Sequence, residues 1–561
     1  MMTRNSLRKN GFSIFCFCLI AVIWFLPAVT VLIQIIRPAS YGETEAFPPS
    51  TGLLSTPPPW ADQSPFASRW LELTLRSLRL SLTTICLALP PSLGLAVVIY
   101  RSQFLLTGSL RFLYQALIFL PLPVVATSWL GAIGNLGRSQ AFGLGSQPLL
   151  SGWIAASFVH ALASVPLLSW IFGSVLLRTD SDLEAMARNE HPPLRAFLKS
   201  SLTQIRPAIW ASALVVMILT AGDMTVTDLV QERTFAEESY LQAQMGDGLS
   251  AASRTALPPV LSVGLLMVFW FRRNRLWLDE LGRANISQTR HRDWLDGSKA
   301  KLLGILALVL TLMVWGIPFL ALVWRAGRSG GVAQLELAPK WSVAALFHNL
   351  REALPDLVET MPQTLFTALT VGIICTVTAW LLCESASENR FITRLLLVGS
   401  ALGIATPGPV AGLALVWVWM PVRWVYDSSL IVILAQIYRL LPVAVLLVWP
   451  SILFRQTALN DLARLDGLGH AIRFQRVVWP AMGPLVVSTV FIVSALSLGE
   501  LPASNLVAPP GFDLFSVRLW ALMHTGLESH LSAVVLVAVG FFGLLVLLAF
   551  GLSKWVMRTR P

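Results

Sequence analysis

Charge is scarce in this sequence: only 13% of its 561 residues are Asp, Glu, Lys or Arg, against about 25% in an average soluble domain. With 55% hydrophobic residues and a mean hydropathy of +0.68, this shortage excludes a soluble multidomain enzyme. Cysteine is scarce too. Cys16, Cys18, Cys86, Cys375 and Cys383 all lie within or at the end of apolar stretches, where a thiol acts as a small hydrophobe. They give neither a disulfide framework nor a zinc site. No Gly-Lys dipeptide occurs, which excludes the phosphate-cradling pattern G-x-x-x-x-G-K-[ST]. H-E-x-x-H is absent, and the seven histidines are scattered. No nucleophile and base, and no pair of carboxylates, assemble into a catalytic set. The chain is therefore not expected to be an enzyme or to carry a cofactor or resident metal, and His160 reads as a core or pore residue.

What is present is apolar sequence in long runs. They lie at 12–36, 77–100, 112–136, 151–177, 209–229, 256–271, 302–324, 364–383, 395–420, 429–454, 485–507 and 531–553. Most suffice to cross about 30 Å of hydrocarbon as helix, so an all-α integral membrane protein of about twelve spans is expected. Arg4, Arg8 and Lys9 precede the first run. That run outlasts a signal-peptide core and no clear cleavage site follows, so it is expected to remain as an anchor. With both termini cytoplasmic, 27 of the 41 Lys and Arg fall in cytoplasmic segments, the bias that orients membrane helices. The same bias explains the net charge of +11 without nucleic acid.

Pro48, Pro49, Pro57, Pro58, Pro59 and Pro65 make 37–68 a stiff, extended outside connector, and 325–362 is its counterpart. The segment 272–301 carries eight Lys and Arg among four acids and reads as a cytoplasmic linker. It divides the chain into a first repeat, 1–271, and a second, 302–561. A shift of 277 residues superposes Arg178 on Arg455, Glu184 on Asp461, Phe197 on Phe474, Lys199 on Arg476, Pro207 on Pro484, Gly222 on Gly499 and Asp223 on Glu500. Matches sustained over about 50 residues argue for duplication.

The repeat centres on a polar loop between the fourth and fifth spans of each half. In the second half Asp461, Ala463 and Gly467 are followed by Phe474 and Pro480. This pattern resembles the E-A-A-x-x-x-G loop of type I ATP-binding-cassette importer permeases. A helix, a tight turn at glycine and a second helix would form a rigid knob: Ala463 permits close approach, Gly467 permits a positive φ and Phe474 buries its ring. The first-half loop departs from it, with Glu184 and Ala185 followed by Glu190 at the glycine position and then Pro192-Pro193, while Phe197 is retained. A non-glycine residue at positive φ costs of order 1 kcal/mol or more, so a differently shaped first knob, and asymmetric coupling, are expected.

Spans five and eleven break in one register, at Thr220-Ala221-Gly222-Asp223 and Ser497-Leu498-Gly499-Glu500. Paired interruptions of duplicated helices point to a transport path. Counted from the apolar onset, both carboxylates lie roughly 22 Å across. An intramembrane charge calls for a partner; Arg439 is the candidate for Glu500, whereas the first half offers Asp223 no equivalent arginine. Gate lining and structural pairing both remain open for these groups. Pro90–Pro91, Pro121–Pro123, Pro166, Pro407–Pro409 and Pro442 are expected to interrupt spans.

The stretch from Gly499 through Asp513 to Trp520 is similar to the corresponding region of fused iron(III)-transport permeases. Thiamine permeases share the fused layout, and oxyanion or phosphonate permeases share much of the loop pattern. The resemblance implies a bacterial inner membrane, a periplasmic binding protein that delivers cargo and two copies of a separate ATPase subunit gripping the two loops. An ion-coupled secondary transporter, the rival from another class, has no reason to repeat such a loop.

Overall fold

The computed structural model describes residues 15, 18, 20–36, 66–134, 149–177, 179–244, 248–273, 297–329, 340–388, 390–453, 462–463, 465–469, 472, 474–525 and 528–558. The proline-rich 37–65 and most of the basic linker lie outside the described residues.

Nearly all of what is described is helix. After a π-helical turn at Ala21–Phe25 come α1 (Leu26–Ile36), α2 (Phe66–Arg101), α3 (Thr107–Leu117), α4 (Leu122–Ile133), α5 (Gly152–Leu176), α6 (Ser181–Glu190) and α7 (Pro193–Lys199). Next are α8 (Ser201–Ala221), α9 (Thr225–Leu229), α10 (Phe235–Gln244), α11 (Gly248–Arg273) and α12 (Gly297–Ala326). Two-residue strands β1 (Arg328–Ser329) and β2 (Lys340–Trp341) pair antiparallel. The chain continues with α13 (Val343–Glu388), α14 (Arg390–Ala405), α15 (Gly408–Trp419), α16 (Arg423–Tyr426) and α17 (Leu430–Leu453). It ends with α18 (Trp479–Leu498), α19 (Ser504–Val507), α20 (Phe515–Thr525) and α21 (Glu528–Arg558).

Seven of these helices are long and apolar enough to cross a membrane: α2, α5, α8, α12, α13, α17 and α21. The count reaches nine if α3 with α4, and α14 with α15, each make one bent span. Among the described residues this gives seven to nine of the twelve expected spans; the other expected runs, at 12–36, 256–271 and 485–507, fall on α1, α11 and α18, parts of which lie outside the description. A hydropathy run crosses bends and polar turns unmarked.

The two bends, 103° and 112°, have one cause. Pro121 (φ −59°, ψ 142°) and Pro407 (φ −57°, ψ 146°) cap α4 and α15 in extended conformation, with Pro123 and Pro409 in the first turns. Proline is tolerated there because its missing N–H would have had no intrahelical partner. The other prolines do not interrupt their helices: Pro90 and Pro91 lie within continuous α2, Pro166 within α5 and Pro442 within α17.

Helices from before and after 272–301 pack against one another, while α1 also packs on α11 and α12 on α21. The N-terminal helix α1 packs on α15, and the turn before it packs on α14 and α17. Fully buried Trp24 donates its Nε1–H to the Tyr438 carbonyl at 3.3 Å. A Cβ on Gly399 or Gly403 would lie 2.3 Å or 2.8 Å from that indole, so glycine is needed for this contact. Reciprocally, α12 packs on α4 and α2, and its buried Arg325 lies against Gly131. In lipid, where helices gain little hydrophobic energy from pairing, such small-residue faces permit the close van der Waals contact that holds helices together.

Candidate functional site

Three regions contain the residues singled out in the sequence: one at each end of α8, and the second loop before α18. At the start of α8, helices α6 and α7 form a hairpin. Asp180 caps α6, its Oδ1 accepting from the N–H groups of Asp182 (2.8 Å) and Leu183 (3.4 Å). Glu184 points inward, 3% exposed. Its Oε2 accepts from Arg101 Nη2 and from Ser201 Oγ, each at 2.6 Å, and its Oε1 accepts from Arg188 Nη2 at 2.7 Å. Arg101 is the last residue of α2, is itself 1% exposed, and also donates to the Leu176 carbonyl and Thr179 Oγ1 at 3.4 Å each. Burial alone would raise the Glu184 carboxyl; the Ser201 hydroxyl and the two guanidinium groups outweigh it and hold it below the ordinary carboxylate value. One carboxylate thus ties the hairpin to the ends of α2 and α8.

Phe197 is buried in the same core, whereas Ala185, Glu190, Leu183 and Met186 are exposed. The hairpin presents two large apolar side chains outward. Glu190 is the last residue of α6, and the chain turns through extended His191 (φ −136°) and Pro192. The first loop therefore needs no left-handed residue and uses a different turn. In the second loop Gly467 has φ +72°. The Leu468 N–H reaches the Ala463 carbonyl at 3.2 Å, the six-to-one bond that closes a helix through a left-handed glycine. Ala463 is buried, and Leu462 and Leu465 are exposed. Asp461 lies outside the described residues; Phe474 opens a π-helical turn and Pro480 lies in α18, and nothing is described of their side chains.

The far end of α8 lies about 32 Å from its start. The helix begins eight residues before the apolar onset, in a polar stretch that hydropathy does not mark, so Asp223 is farther from the hairpin than 22 Å. Both α8 and α18 end at the anticipated breaks, and each carboxylate caps the short helix that follows. Asp223 Oδ2 accepts from Val226 N–H at 3.0 Å; Glu500 accepts from Ala503 N–H at 3.1 Å and Ser504 N–H at 3.0 Å. Arg439 Nε lies 3.5 Å from Glu500 Oε1, and Arg439 Nη1 donates to the Thr406 carbonyl at 3.1 Å. A Cβ on Gly222 would lie 3.9 Å from Arg439 Nη2, so this arginine reaches both breaks. Asp223 has no arginine beside it from its own segment; its neighbour there is the buried His160, whose Nε2 is 3.5 Å from its Oδ2.

The two breaks lie close together. Met224 packs with Leu501 and Ala236. Added Cβ atoms on Gly499 and Gly408 would lie 3.4 Å from the Leu122 nitrogen and 2.4 Å from Pro502, so both proline bends abut the second break. Gln436 links Ser504 and Ser497. Comparison with known proteins returns no matching family model and no matching curated sequence.

Sequence reasoning missed Arg101 and Ser201, because a partner 83 residues from Glu184 leaves no local pattern. It also missed Asp228, which accepts from Trp520 Nε1 at 3.0 Å and lies 3.2 Å from His524 Nε2, a second link between α9 and the region of the Glu500 break. No group of three or more metal-ligating side chains occurs among the described residues.

Proposed function

We propose that this chain is the permease subunit of a bacterial ATP-binding-cassette importer, and that its cargo is iron(III) delivered by a periplasmic binding protein. On this reading the chain crosses the inner membrane twelve times: the seven long helices, the two bent pairs, and α1, α11 and α18. Both termini lie in the cytoplasm, as does the α6–α7 hairpin, while α9, α10, α19 and α20 line the outer mouth.

The single observation that carries the proposal is the hairpin α6–α7, which exposes Leu183 and Met186 while Glu184 secures it to α2 and α8. A knob built this way transmits force: pressure on its outer face passes through a buried ion pair into two spanning helices. The far end of α8 meets Arg439 and the Glu500 turn, so movement of the knob reaches the place where the halves join. ATP hydrolysis belongs to a separate chain, of which two copies engage the two loops. Iron rests on the resemblance of Gly499 to Trp520 alone; thiamine and oxyanion permeases are the competing cargo classes.

The reading is tested by reconstituting the chain with its ATPase and comparing Gly467→Val with Glu190→Val. Valine at φ +72° is strained, whereas valine at helical Glu190 is not. The first variant should hydrolyse ATP with cargo uptake reduced at least tenfold, and the second should retain uptake. Equal, negligible effects would overturn the docking assignment.

A further inference from the structure

We infer that the groove beside the α6–α7 hairpin binds an anionic diacyl glycerophospholipid, with its acyl chain in the groove and its phosphate on the basic residues at the groove's end. This rests on the chain's being a membrane protein and is independent of what it transports.

The groove encloses about 630 Å³ between α2, α3, α5, α7 and α12, within the range of about 300–1,000 Å³ typical of ligand sites. Its walls are apolar, with Leu87, Leu194, Leu198, Leu303, Leu306 and Leu310 among them. The two hydroxyls that reach it, Tyr114 and Thr311, bond each other at 3.0 Å. Leu306 and Leu310 are about half exposed, so the groove opens sideways, where a bilayer supplies hydrocarbon and not water.

What distinguishes this groove from an ordinary lipid-facing surface is the charge at one end. On α12, Lys299, Leu303, Leu306 and Leu310 recur at helical spacing and form one stripe that ends in an ammonium group. On α7, Arg195 and Lys199 each follow a lining residue, Leu194 and Leu198, in sequence, and Lys199 Nζ lies 2.9 Å from His191 Nε2. On α3, Arg111 lies one turn before Tyr114, its guanidinium 4.5 Å from the centre of the Tyr100 ring. No lining residue is acidic. Basic pockets between spanning helices hold anionic headgroups, and each Lys or Arg near the surface strengthens the attraction about fivefold. Because Leu194, Phe197 and Leu198 of the hairpin helix form one wall, the bound lipid packs against the hairpin itself.

The test uses the full chain purified in detergent, titrated with dioleoyl phosphatidylglycerol or dioleoyl phosphatidylcholine and read by native mass spectrometry. Phosphatidylglycerol should bind at least tenfold more tightly. Lys299→Gln with Arg195→Gln should weaken it about 25-fold. Gly94→Leu provides a second, uncharged test, since a Cβ there meets nothing within 4 Å and the side chain fills the groove without distorting it; the lipid should be lost while the thermal midpoint is unchanged. Equal binding of the two lipids, or undiminished phosphatidylglycerol binding by both variants, would overturn the proposal. So would displacement of the lipid by excess glycerol phosphate, which would show a phosphate site in which the acyl groove plays no part.

Discussion

Arg101→Met removes the guanidinium from the end of α2 and leaves the buried Glu184 carboxylate with two of its three side-chain donors, Ser201 Oγ and Arg188 Nη2. Removing one partner of a buried pair costs about 3–5 kcal/mol because the other charge is left uncompensated. The two remaining donors place this case at the lower end, about 3 kcal/mol, and the penalty falls on the hairpin, not on the whole bundle. Amide hydrogen exchange of α6 in detergent measures it directly: about 3 kcal/mol corresponds to roughly a hundredfold loss of protection. The double variant Arg101→Met, Glu184→Gln removes both charges and should recover most of the loss. The pH dependence has a definite sign. The Glu184 carboxyl is held below its ordinary value, so its contribution is complete above the ordinary carboxylate value and is lost as pH falls through the lowered one. Wild type and Arg101→Met should therefore converge in acid. Unchanged α6 protection in Arg101→Met at neutral pH would refute the idea that this pair secures the hairpin.

Four further outcomes are expected. Gly399→Val places a Cβ 2.3 Å from the Trp24 ring and should lower the stability of the packing around Trp24 by about 1–3 kcal/mol in a thermal-unfolding assay. Glu500→Gln keeps one carbonyl acceptor for the α19 cap but loses the charge opposite Arg439; stability should fall by about 1–3 kcal/mol, and a double-mutant cycle with Arg439→Gln should be non-additive. Glu237, on α10, is pushed up to about 7, first by burial and then by neighbouring Asp228. Its raised value means that stability falls as pH rises from the ordinary carboxylate range to about 7, so Glu237→Gln should match wild type in acid and be more stable at pH 8 by thermal midpoint. Glu190→Val should leave α6 intact by hydrogen exchange, because the turn that follows uses His191 and Pro192.

Features governed by local stereochemistry were legible in the sequence. Paired prolines two residues apart, Pro121 and Pro123 in one half and Pro407 and Pro409 in the other, mark the bends. The break motifs end α8 and α18 where they were expected to, and in each the acidic residue after the glycine accepts from N–H groups at the start of the next helix. Gly467 adopts the left-handed conformation that its place after a helix suggested. Arg439 and Glu500 come together, since both stood at comparable depths in neighbouring spans. Features that depend on tertiary packing were not legible. His160 reaches Asp223 from two residues away from the register position opposite Arg439. Arg101 reads in sequence as one more positive residue at a helix end, and only packing shows that it lies beneath the hairpin.

The central claim is that a separate ATPase grips the α6–α7 hairpin and its counterpart around Gly467. The most direct measurement is purification of the chain from its native membrane in mild detergent, followed by mass spectrometry of whatever accompanies it. The account predicts a chain bearing a phosphate-binding loop at two copies per permease, released when Leu183 and Met186 are both changed to Asp. Absence of any such ATPase, under conditions that preserve a control complex, would contradict it.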